Sequence, residues 1–302
     1  MRVLVTGGAG FVASHIVDAL VARGDDVLVA DDLSTGDRGN VAAPADLRVV
    51  DVADADGLRR AFGRERLDAV VHAAAEASVV RSVADPAHSE RVNVHGTANV
   101  LELARDARAR RFVFFSTGGA IYGETKECAT ETSALRPISP YGKHKLEGER
   151  LVRAASLPHA ILRPANIYGP RQRGDLEGGV VAIFLQRWRD GHELVVYGDG
   201  SAERDYVYVE DVARAVLAAL GRSDSGTWNI GTGVVTTVNG VIDALKRHLG
   251  EPPAGVRYAA ARPGELQRAC VDPSTAARDG LWRPAVTFVE GIGRCIAEAQ
   301  LA

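Results

Sequence analysis

Apolar and polar residues along the first half of the chain form a pattern of short buried strands and longer helices. Continuous apolar runs predict strands at 2–6, 26–30, 47–50, 69–73 and 112–116, and helical periodicity predicts helices at 13–23 and 94–108. Strands that are buried on both faces have continuous apolar runs, and strands that alternate with helices form parallel sheets. The first half therefore predicts an α/β fold with a doubly wound parallel sheet.

After residue 163 the alternation of apolar strands with helices is less regular, and glycine and proline become frequent. Helices are predicted near 179–190, 210–221, 237–249 and 289–299. We expect a main domain at 1–163 and a smaller C-terminal α/β lobe at 164–302. This lobe would cover the strand ends, and some of its segments would return to the first domain.

Composition and charge argue against several classes of protein. The 302 residues are 46% hydrophobic and 25% charged with a net charge of −3, which is typical of globular proteins and offers no basic surface to nucleic acid or membranes. No apolar run reaches the length of a membrane-spanning helix, and the N-terminal segment lacks the apolar core of a signal peptide. Cys128, Cys270 and Cys295 are far apart and lack metal-ligand spacing, so we expect reduced thiols, a cytoplasmic protein and no metal site.

The segment VTGGAGFVASH links the first predicted strand to the first helix. Gly7, Gly10 and Ala13 let the backbone turn tightly, approach a ligand and pack the helix closely on the sheet. The helix N-terminus presents free N–H groups to a phosphate. Asp31 ends the second strand, where a carboxylate accepts both hydroxyls of an adenosine ribose and repels a 2′-phosphate. The segment therefore predicts a dinucleotide site that takes NAD in preference to NADP.

The segment SPYGKHKLEGER, at 139–150, places Tyr141 and Lys145 on one face of a predicted helix. An ammonium beside a phenol lowers the phenol pKa from about 10, which would make Tyr141 a general acid and base. Any such pair on a helix is close together, so these two residues alone are weak evidence for catalysis. His144 points off this face and is expected to be solvated. His72 is expected to be a structural histidine at a strand end.

The glycine turn and the Tyr141–Lys145 pair occur together with several longer motifs. These are DDLSTG (31–36), HAAAEASVVRSVADP (72–86), VNVHGTANVLELA (92–104), RPANIYGPRQ (163–172), VYGDGSAERDYVYVEDVA (196–213), NIGTG (229–233) and RPGEL (262–266). Over nearly its whole length the sequence resembles the extended short-chain dehydrogenase/reductase family, and within it the nucleotide-sugar epimerases that act on UDP-hexoses. The resemblance implies a Rossmann-type fold with NAD in the main domain and a nucleotide sugar in the C-terminal lobe.

The resemblance also implies roles for individual residues. Tyr141 would be the catalytic base and acid, Lys145 would hold the nicotinamide ribose and lower the Tyr141 pKa, and Thr117 would supply the hydroxyl of the triad. The residues that would line the NAD site are Gly7, Gly10, Phe11, Val12, Asp31, Asp32, Ser34, Asp51, Val52, Ala73, Ala74, Ala75, Asn93, Ser116, Tyr141 and Lys145.

A second set would bind the nucleotide sugar. Its expected members are Thr117, Tyr141, Asn166, Val180, Tyr197, Arg204, Arg262, Glu265 and Ala269. Tyr197 would lie beside a uracil, and Glu265 would bind a ribose hydroxyl. Arg204 and Arg262 would bind the diphosphate, whose oxygens suit the planar fork of arginine. Ala269 stands where a tyrosine in relatives crowds C2 of the hexose, so an N-acetyl group would fit here.

The sequence departs from the family pattern in the segment FFSTGGAIYG. The triad Ser or Thr is expected four residues before Tyr122, but that residue is Gly118, and either Thr117 or Ser116 could supply the hydroxyl instead. Dehydratases and decarboxylases of the family carry a carboxylate two residues before the same tyrosine, where this chain has Ala120. Epimerisation at C4 needs no carboxylate there, so the departure favours an epimerase.

The sequence therefore predicts an NAD-dependent 4-epimerase of a UDP-hexose. UDP-glucuronate epimerisation, dehydration or reduction of a nucleotide sugar, and a non-enzymatic NAD-binding role remain alternatives. The resemblance also implies a homodimer formed through helices at 93–108 and 141–156. The apolar or small residues at helical spacing on these helices are Val94, Ala98, Leu101 and Val152, although such a stripe more often serves an internal core.

Overall fold

The computed structural model describes residues 1–175, 179–262 and 266–301 of the chain. The strands are β1 (Arg2–Thr6), β2 (Asp26–Asp31), β3 (Asp46–Val49), β4 (Ala69–His72), β5 (Arg111–Phe115), β6 (His159–Pro164), β7 (Asn166–Tyr168), β8 (Leu194–Tyr197), β9 (Glu203–Tyr208), β10 (Gly226–Ile230), β11 (Val235–Thr237), β12 (Val256–Ala259) and β13 (Arg268–Ala269). The helices are α1 (Phe11–Ala22), α2 (Ala55–Phe62), α3 (Val79–Ala84), α4 (Pro86–Glu90), α5 (Gly96–Asp106), α6 (Gly118–Ile121), α7 (Pro140–Ala154), α8 (Val180–Arg189), α9 (Val209–Leu220), α10 (Val238–Leu249), α11 (Ser274–Arg278) and α12 (Phe288–Leu301).

The largest sheet has the strand order β10-β6-β5-β4-β1-β2-β3. All of its neighbouring strands run parallel, and β4 and β5 are buried at every residue. This confirms the predicted Rossmann-type doubly wound sheet. Chain order reverses between β1 and β4, and in such sheets a ligand crevice opens outside the carboxyl ends of the strands at this point.

Helices cover both faces of the large sheet, because successive residues of each strand point to opposite sides. α1 and α9 contact each other on one face and share a core with Val5 of β1. α5 and α7 cover the other face, where Val100 and Val152 pack with Leu4 of β1. Val152 is 1% exposed in this core, so its expected place on an intersubunit face is wrong.

Segments that follow residue 163 build smaller sheets. β11, β9 and β13 are neighbours, β7 pairs with β9, and β12 pairs with β8. Tyr168, Phe184 and Leu245 belong to a separate core beneath them. β10 nevertheless joins the large sheet beside β6, so residues after 163 contribute to both parts. The domain boundary at 163 stays a prediction.

The predicted strands and helices agree with the structure to within two residues at each end. α1 begins at Phe11 because the Gly10 carbonyl already accepts the Ser14 N–H at 3.1 Å. A π-helical turn at Arg91–His95 precedes α5, which shortens the predicted helix. The strands of the C-terminal part were not predicted, because short half-buried segments such as β11 lack a continuous apolar run.

Cys128 and Cys270 form a disulfide, although 142 residues separate them in the chain. The loop with Cys128 lies along the end of β13, because the Ala129 N–H donates to the Cys270 carbonyl at 2.9 Å and the Ala129 carbonyl accepts the Asp272 N–H at 2.8 Å. The expectation of reduced thiols is wrong for this pair, because separation along the chain does not measure distance in the fold. Cys295 is a buried free thiol. The cytoplasmic location stays a prediction.

Two further features concern the described residues 1–175, 179–262 and 266–301. No helix in these ranges is both long and apolar enough to cross a bilayer. Within the same ranges, no group of three or more His, Cys, Asp or Glu side chains is arranged to hold a metal ion.

Candidate active site

A cavity of about 830 Å³ opens where the chain order of the large sheet reverses. Its wall contains most of the residues that were expected around a dinucleotide, namely Gly7, Gly10, Phe11, Val12, Asp31, Asp32, Ser34, Asp51, Val52, Ala73, Ala74, Ala75, Ser116, Tyr141 and Lys145. Thr117 and Asn166 of the expected substrate set also line it. One space therefore joins the glycine turn, the acidic strand end and the Tyr141–Lys145 pair.

The glycine turn after β1 has the shape that a phosphate-binding turn requires. Gly7 has a φ of +72°, and a Cβ there would lie 2.8 Å from the N and Cα atoms of Ala74. Gly10 leads into α1, and Phe11 and Val12 of its first turn line the cavity. A side chain at Gly7 would fill the space between two backbone segments, so the turn fits the close approach of a pyrophosphate to a helix N-terminus.

Asp31 is fixed at the end of β2 by two backbone amides. Its Oδ2 accepts the Ala9 N–H at 2.9 Å and its Oδ1 accepts the Leu33 N–H at 2.8 Å. Burial raises the pKa of this carboxyl, while the two amide bonds act in the opposite direction. Each carboxylate oxygen has a second lone pair, so the group can still accept ribose hydroxyls.

Asp51 stands on the same side of the cavity. Its Oδ2 accepts the Arg91 guanidinium at 2.8 Å, and its Oδ1 accepts the Ala53 N–H at 2.8 Å. Burial acts to raise the pKa of Asp51, but the hydrogen bonds from Ala53 and Arg91 outweigh it and the pKa is lowered. The carboxylate is therefore held in its charged form beside the expected cofactor site.

The sequence fixes the start of α7, and so the position of Tyr141. The Ser139 side chain caps the helix by accepting the Gly142 N–H at 3.1 Å, and Pro140 occupies its first turn. The Tyr141 N–H, which has no acceptor within the helix, donates to the Ser82 hydroxyl at 3.1 Å. The Ser139 and Ser82 hydroxyls thus fix the backbone of the first turn of α7.

Tyr141, Lys145 and Thr117 meet at one end of the cavity. All three side chains line the cavity, and Thr117 lies close enough to the Tyr141 hydroxyl to act on its pKa. Lys145 is 3% exposed, and its Nζ lies 4.7 Å from the ring centroid of Phe114. The phenol, the threonine hydroxyl and the buried ammonium are the groups that a proton-transfer site needs.

Burial controls the pKa values of this pair. It raises the pKa of Tyr141 to about 12, with Thr117 acting to lower it and the charge of Glu76 to raise it. Burial also lowers the pKa of Lys145 to about 8, with Glu149 acting in the opposite direction. Tyr141 as a whole is half-buried, but its hydroxyl lies deep enough for desolvation to dominate. The expected net lowering of the Tyr141 pKa by Lys145 is therefore not found in the protein alone.

The hydroxyl that the family pattern places at residue 118 has no room in this fold. A Cβ on Gly118 would lie 2.6 Å from the Val271 side chain and 3.0 Å from the carbonyl oxygens of Arg163 and Pro164. A serine or threonine at this position would collide with β6 and with the segment after β13. The glycine is therefore a packing requirement.

The structure distinguishes the two hydroxyls that could replace it. Thr117 acts to lower the pKa of Tyr141, and its hydroxyl accepts the Ala120 N–H at 3.2 Å as the cap of α6. Ser116 donates to Glu149 at 2.5 Å. The geometry therefore favours Thr117 as the partner of Tyr141.

Other expected substrate residues lie in the C-terminal sheets and outside the cavity wall. The Arg262 guanidinium stacks on Tyr197, with its carbon 3.8 Å from the ring centroid. Ala269 of β13 pairs with Arg204 of β9, and a guanidinium nitrogen of Arg204 donates to the Leu266 carbonyl at 2.7 Å. These residues form a second group, which β9 and β7 connect to Asn166 in the cavity.

Three expected site residues are placed differently or not described. Asn93 is buried behind the cavity wall, where its Nδ2 donates to the Glu76 carbonyl at 3.0 Å. Val180 begins α8, and the following residue, Val181, lines the cavity instead. Glu265 lies outside the described residues, so its role stays a prediction.

The two histidines that sequence analysis set aside have different surroundings. His72 is buried between the hydroxyls of Thr6 and Thr97, at 2.7 and 3.0 Å, which confirms a structural histidine. Burial lowers its pKa to about 3. His144 is half-buried and bonds with the Ser89 hydroxyl at 2.9 Å, so the expectation of a solvated side chain is wrong. The reason is that α4 packs against α7.

Sequence analysis missed charged residues in the cavity wall. Glu76, Arg81 and Arg171 all line it. Arg81 donates to the Glu76 carboxylate at 3.1 Å, and Arg171 pairs with Asp18 of α1 at 2.7 Å. All three residues belong to motifs quoted above, but a motif does not reveal which of its charges face the ligand space.

The fold and the site define a class of Rossmann-type, dinucleotide-dependent proteins with a tyrosine–lysine pair at the end of the cofactor cavity. Residues 3–231 match the model of the NAD dependent epimerase/dehydratase family. The chain belongs to this family, which confirms the predicted family and NAD as its cofactor.

Relatives support this membership over the full chain. The UDP-glucose 4-epimerase of Mycolicibacterium smegmatis is 39% identical over 310 residues, which cover 98% of this chain and 97% of the relative. The crystal structure of UDP-glucose 4-epimerase from Thermotoga maritima with UDP-glucose has a TM-score of 0.95 and 40% identity, with 100% of both chains covered. The UDP-glucose 4-epimerase of Thermus thermophilus, solved with NAD, has a TM-score of 0.94 and 44% identity, again with 100% of both chains covered.

Proposed function

We propose that this protein is an NAD-dependent 4-epimerase of UDP-hexoses, with UDP-glucose and UDP-galactose as its substrates and with room in its sugar site for their N-acetylated forms. The observation that carries the proposal is the grouping of Tyr141, Lys145 and Thr117 in the wall of the cavity that also contains the dinucleotide cradle. The relatives named above, which are UDP-glucose 4-epimerases, support the choice of substrate.

The residues of the site have separate parts in this reaction. Bound NAD supplies a reversible hydride acceptor and a positive charge on its ring. Tyr141 removes the proton from the C4 hydroxyl as the C4 hydride leaves, and returns it after the 4-keto sugar has turned over in the site. Thr117 orients the phenol, and Lys145 provides a buried positive charge that favours the phenolate.

The pKa values explain why the site needs its cofactor and substrate. In the protein alone burial keeps the pKa of Tyr141 near 12, so the phenol is neutral at working pH. The positive charge of Lys145 is present below its own pKa of about 8 and is lost as the pH rises through that value. We therefore expect activity to fall on the alkaline side of about pH 8.

Residues away from the cavity would hold the nucleotide. Tyr197 offers an aromatic face and is 43% exposed, and Arg262 stacks upon it. Asn166 lines the cavity, and its strand β7 pairs with β9, which carries Arg204. Contacts to the nucleotide lie far from the reacting carbon. They would therefore keep the 4-keto intermediate bound while its sugar ring turns.

Dehydration is the main alternative, because the family includes dehydratases. Elimination of water needs a further acid beside the sugar, and the family position for that acid is Ala120 in this chain. Gly119, next to it, offers no acid either. Glu76 is a nearby carboxylate, but it is paired with Arg81. These side chains favour epimerisation.

The test is to incubate the purified protein with UDP-glucose, UDP-galactose, their N-acetylated forms, UDP-glucuronate and dTDP-glucose, and to follow the products by NMR. We expect inversion at C4 of the UDP-hexoses with no change in mass. In D₂O the C4 position should retain protium, because the same hydride returns to the carbon it left. Loss of water, or a net change in redox state, would instead identify a dehydratase or a reductase.

Cofactor retention is a separate part of the test. The protein should release NAD or NADH on denaturation without any having been added, because each turnover restores the cofactor. A protein that carries NAD but converts none of the six sugars would favour a binding role over catalysis.

We also propose a homodimer that is formed through α5 and α7, which contact each other. Val94, in the turn before α5, and Leu101 are half-buried and Ala98 is exposed, so this side of the helix and its turn is open to a second copy. Light scattering at micromolar concentration should give about twice the chain mass of 32.0 kDa. A mass equal to that of one chain would contradict the proposal.

A further inference from the structure

The catalytic corner consists of two parts, Ser116–Thr117 after β5, and Tyr141 with Lys145 on α7. A buried carboxylate outside the cavity wall connects these two parts. Glu149 lies on α7, one helical turn after Lys145 and two turns after Tyr141, so the three residues share one face. Its side chain has no exposed surface. None of the roles derived above uses this residue.

The hydrogen bonds of Glu149 are complete. Its two oxygens accept two bonds from the Arg163 guanidinium, at 2.8 and 2.7 Å. Ser116 donates to it at 2.5 Å, and Arg153 donates at 2.9 Å. A buried charge is tolerated when it is paired and hydrogen-bonded in this way, and removing one partner of such a pair is costly.

These bonds tie the two halves of the site together. Ser116 directly follows β5 and precedes Thr117, whose side chain acts on the pKa of Tyr141. Tyr141 itself is on the helix that carries Glu149. A single carboxylate therefore sets the position of the strand end with the threonine relative to the helix with the tyrosine.

The charge of the same carboxylate also acts on the buried ammonium of Lys145, one helical turn away. Burial disfavours the charged form of Lys145, and Glu149 is the charged group that acts against burial. Other groups near Lys145 are Tyr141 on the same helix, His72 on β4, which is neutral, and the Phe114 ring on β5. Arg163 on β6 and Arg153 on α7 both donate to Glu149.

We propose that Glu149 is a positioning residue of the catalytic corner, which joins Ser116–Thr117 to the Tyr141 helix and supplies the negative charge opposite Lys145. This inference rests on the proposed function, because it assumes that Tyr141 and Lys145 perform the chemistry. It assigns Glu149 no contact with the substrate or the cofactor.

The first test measures the Lys145 charge without any substrate. The chain contains only four lysines, Lys126, Lys143, Lys145 and Lys246, so side-chain amine NMR of lysine-labelled protein gives few resonances. Lys145→Arg identifies its signal, which should titrate near pH 8 in the unchanged protein. In Glu149→Gln the midpoint should fall by roughly one pH unit, the low end of the effect of a neighbouring opposite charge.

The second test separates positioning from stability. Glu149→Gln should lower kcat by about tenfold, less than the 10²–10⁴-fold attributed to an acid/base group, with KM nearly unchanged. Its activity should decline at lower pH than that of the unchanged protein, since Lys145 loses its proton earlier. Glu149→Asp keeps the charge but shortens the reach to Ser116, so it should lower kcat without moving the Lys145 midpoint.

Glu147→Gln is the matched control. Glu147 is on the same helix, pairs with Arg150 at 2.8 Å and has a side chain that is 42% exposed. The change from carboxylate to amide is the same, but on the solvent side. This variant should leave kcat, KM and the Lys145 midpoint unchanged.

The outcomes discriminate between this inference and the function. An unchanged Lys145 midpoint in Glu149→Gln, or a kcat loss that matches the loss of folded protein in a thermal melt, would overturn the inference. If Glu149→Gln does not fold, the double variant Glu149→Gln/Arg163→Met removes both charges, and the Lys145 titration is measured on it instead. If the unchanged protein converts none of the tested sugars but the midpoint still shifts, the proposed function fails and the coupling of Glu149 to Lys145 stands.

Discussion

The cofactor side and the substrate side of this molecule differ in secondary structure and in burial. The cofactor side is a cavity formed by the ends of fully buried parallel strands, and Gly7, Asp31 and Lys145 are each fixed there by close backbone or ring contacts. The substrate side consists of short strands and loops, where Tyr197 and Arg262 stack near the surface. Rigid strand ends suit a cofactor that stays, whereas loops suit a ligand that must enter and leave.

The largest difference between the sides should appear when the reacting group itself is removed. Tyr141→Phe deletes one oxygen at the cavity end and should reduce kcat by roughly 10²–10⁴-fold, the usual contribution of a general acid/base. NAD content and the thermal melt should be unchanged, because the ring remains. Tyr258→Phe is the matched control, since Tyr258 is 55% exposed on β12. Near-normal kcat in Tyr141→Phe would remove the assigned role.

A second change should act on the cofactor side alone. Asp31→Asn removes the charge that would accept the ribose hydroxyls, and hydrogen bonds to a charged group contribute about 1.5–3 kcal/mol, so NAD affinity should fall by roughly 10–100-fold. Purified protein should then contain little NAD, while KM for the sugar measured at saturating NAD should change little. Asp26→Asn, at the exposed opposite end of the same strand, is the control. Recovery of NADP from the unchanged protein would contradict the role of Asp31.

The two sides also differ in how much of their structure can be predicted from the sequence. Continuous apolar runs and the glycine turn predict the large sheet and its cavity, because local pattern determines both. The role of Gly118 could not be predicted, since only the fold brings Val271 and the Arg163 carbonyl against it. The pKa of Tyr141 could not be predicted either, because desolvation depends on depth and not on the spacing to Lys145.

On the substrate side, the Cys128–Cys270 disulfide and the pairing of β9 with β13 likewise depend on long-range contacts. The motif RPGEL predicts a ligand-binding segment, but it does not predict that the Arg204 guanidinium holds the Leu266 carbonyl. Sequence motifs thus identify residues of this side without giving their contacts.

Ala269→Tyr should change the substrate side of the molecule without affecting NAD binding. Ala269 is 6% exposed, so a tyrosine would overpack its surroundings by about 1–3 kcal/mol unless it extends towards the sugar. If the position faces C2 of the hexose, turnover of the N-acetylated pair should fall about tenfold more than turnover of the plain pair. The measurement is kcat/KM for all four substrates, with NAD content as the control. Equal losses on both pairs would show that Ala269 does not line the sugar pocket.

The smallest catalytic effect should come from the disulfide, because other contacts hold the same segment. The Glu124 carboxylate accepts the N–H groups of Gln267 and Arg268, each at 2.8 Å, and two backbone bonds of Ala129 hold the end of β13. Cys128→Ser should therefore change KM for the nucleotide sugar by less than about threefold, which is below 1 kcal/mol.

Stability should respond more strongly to this variant than catalysis does, since closing a long loop by a disulfide contributes about 2–4 kcal/mol through the unfolded state. Thiol titration in denaturant without reductant checks the premise: the unchanged protein should show one thiol, from Cys295, and Cys128→Ser should show two. Three thiols in the unchanged protein would mean that the pair is reduced. A KM rise of tenfold or more would mean that Glu124 and the backbone pairing do not hold β13 without the bond.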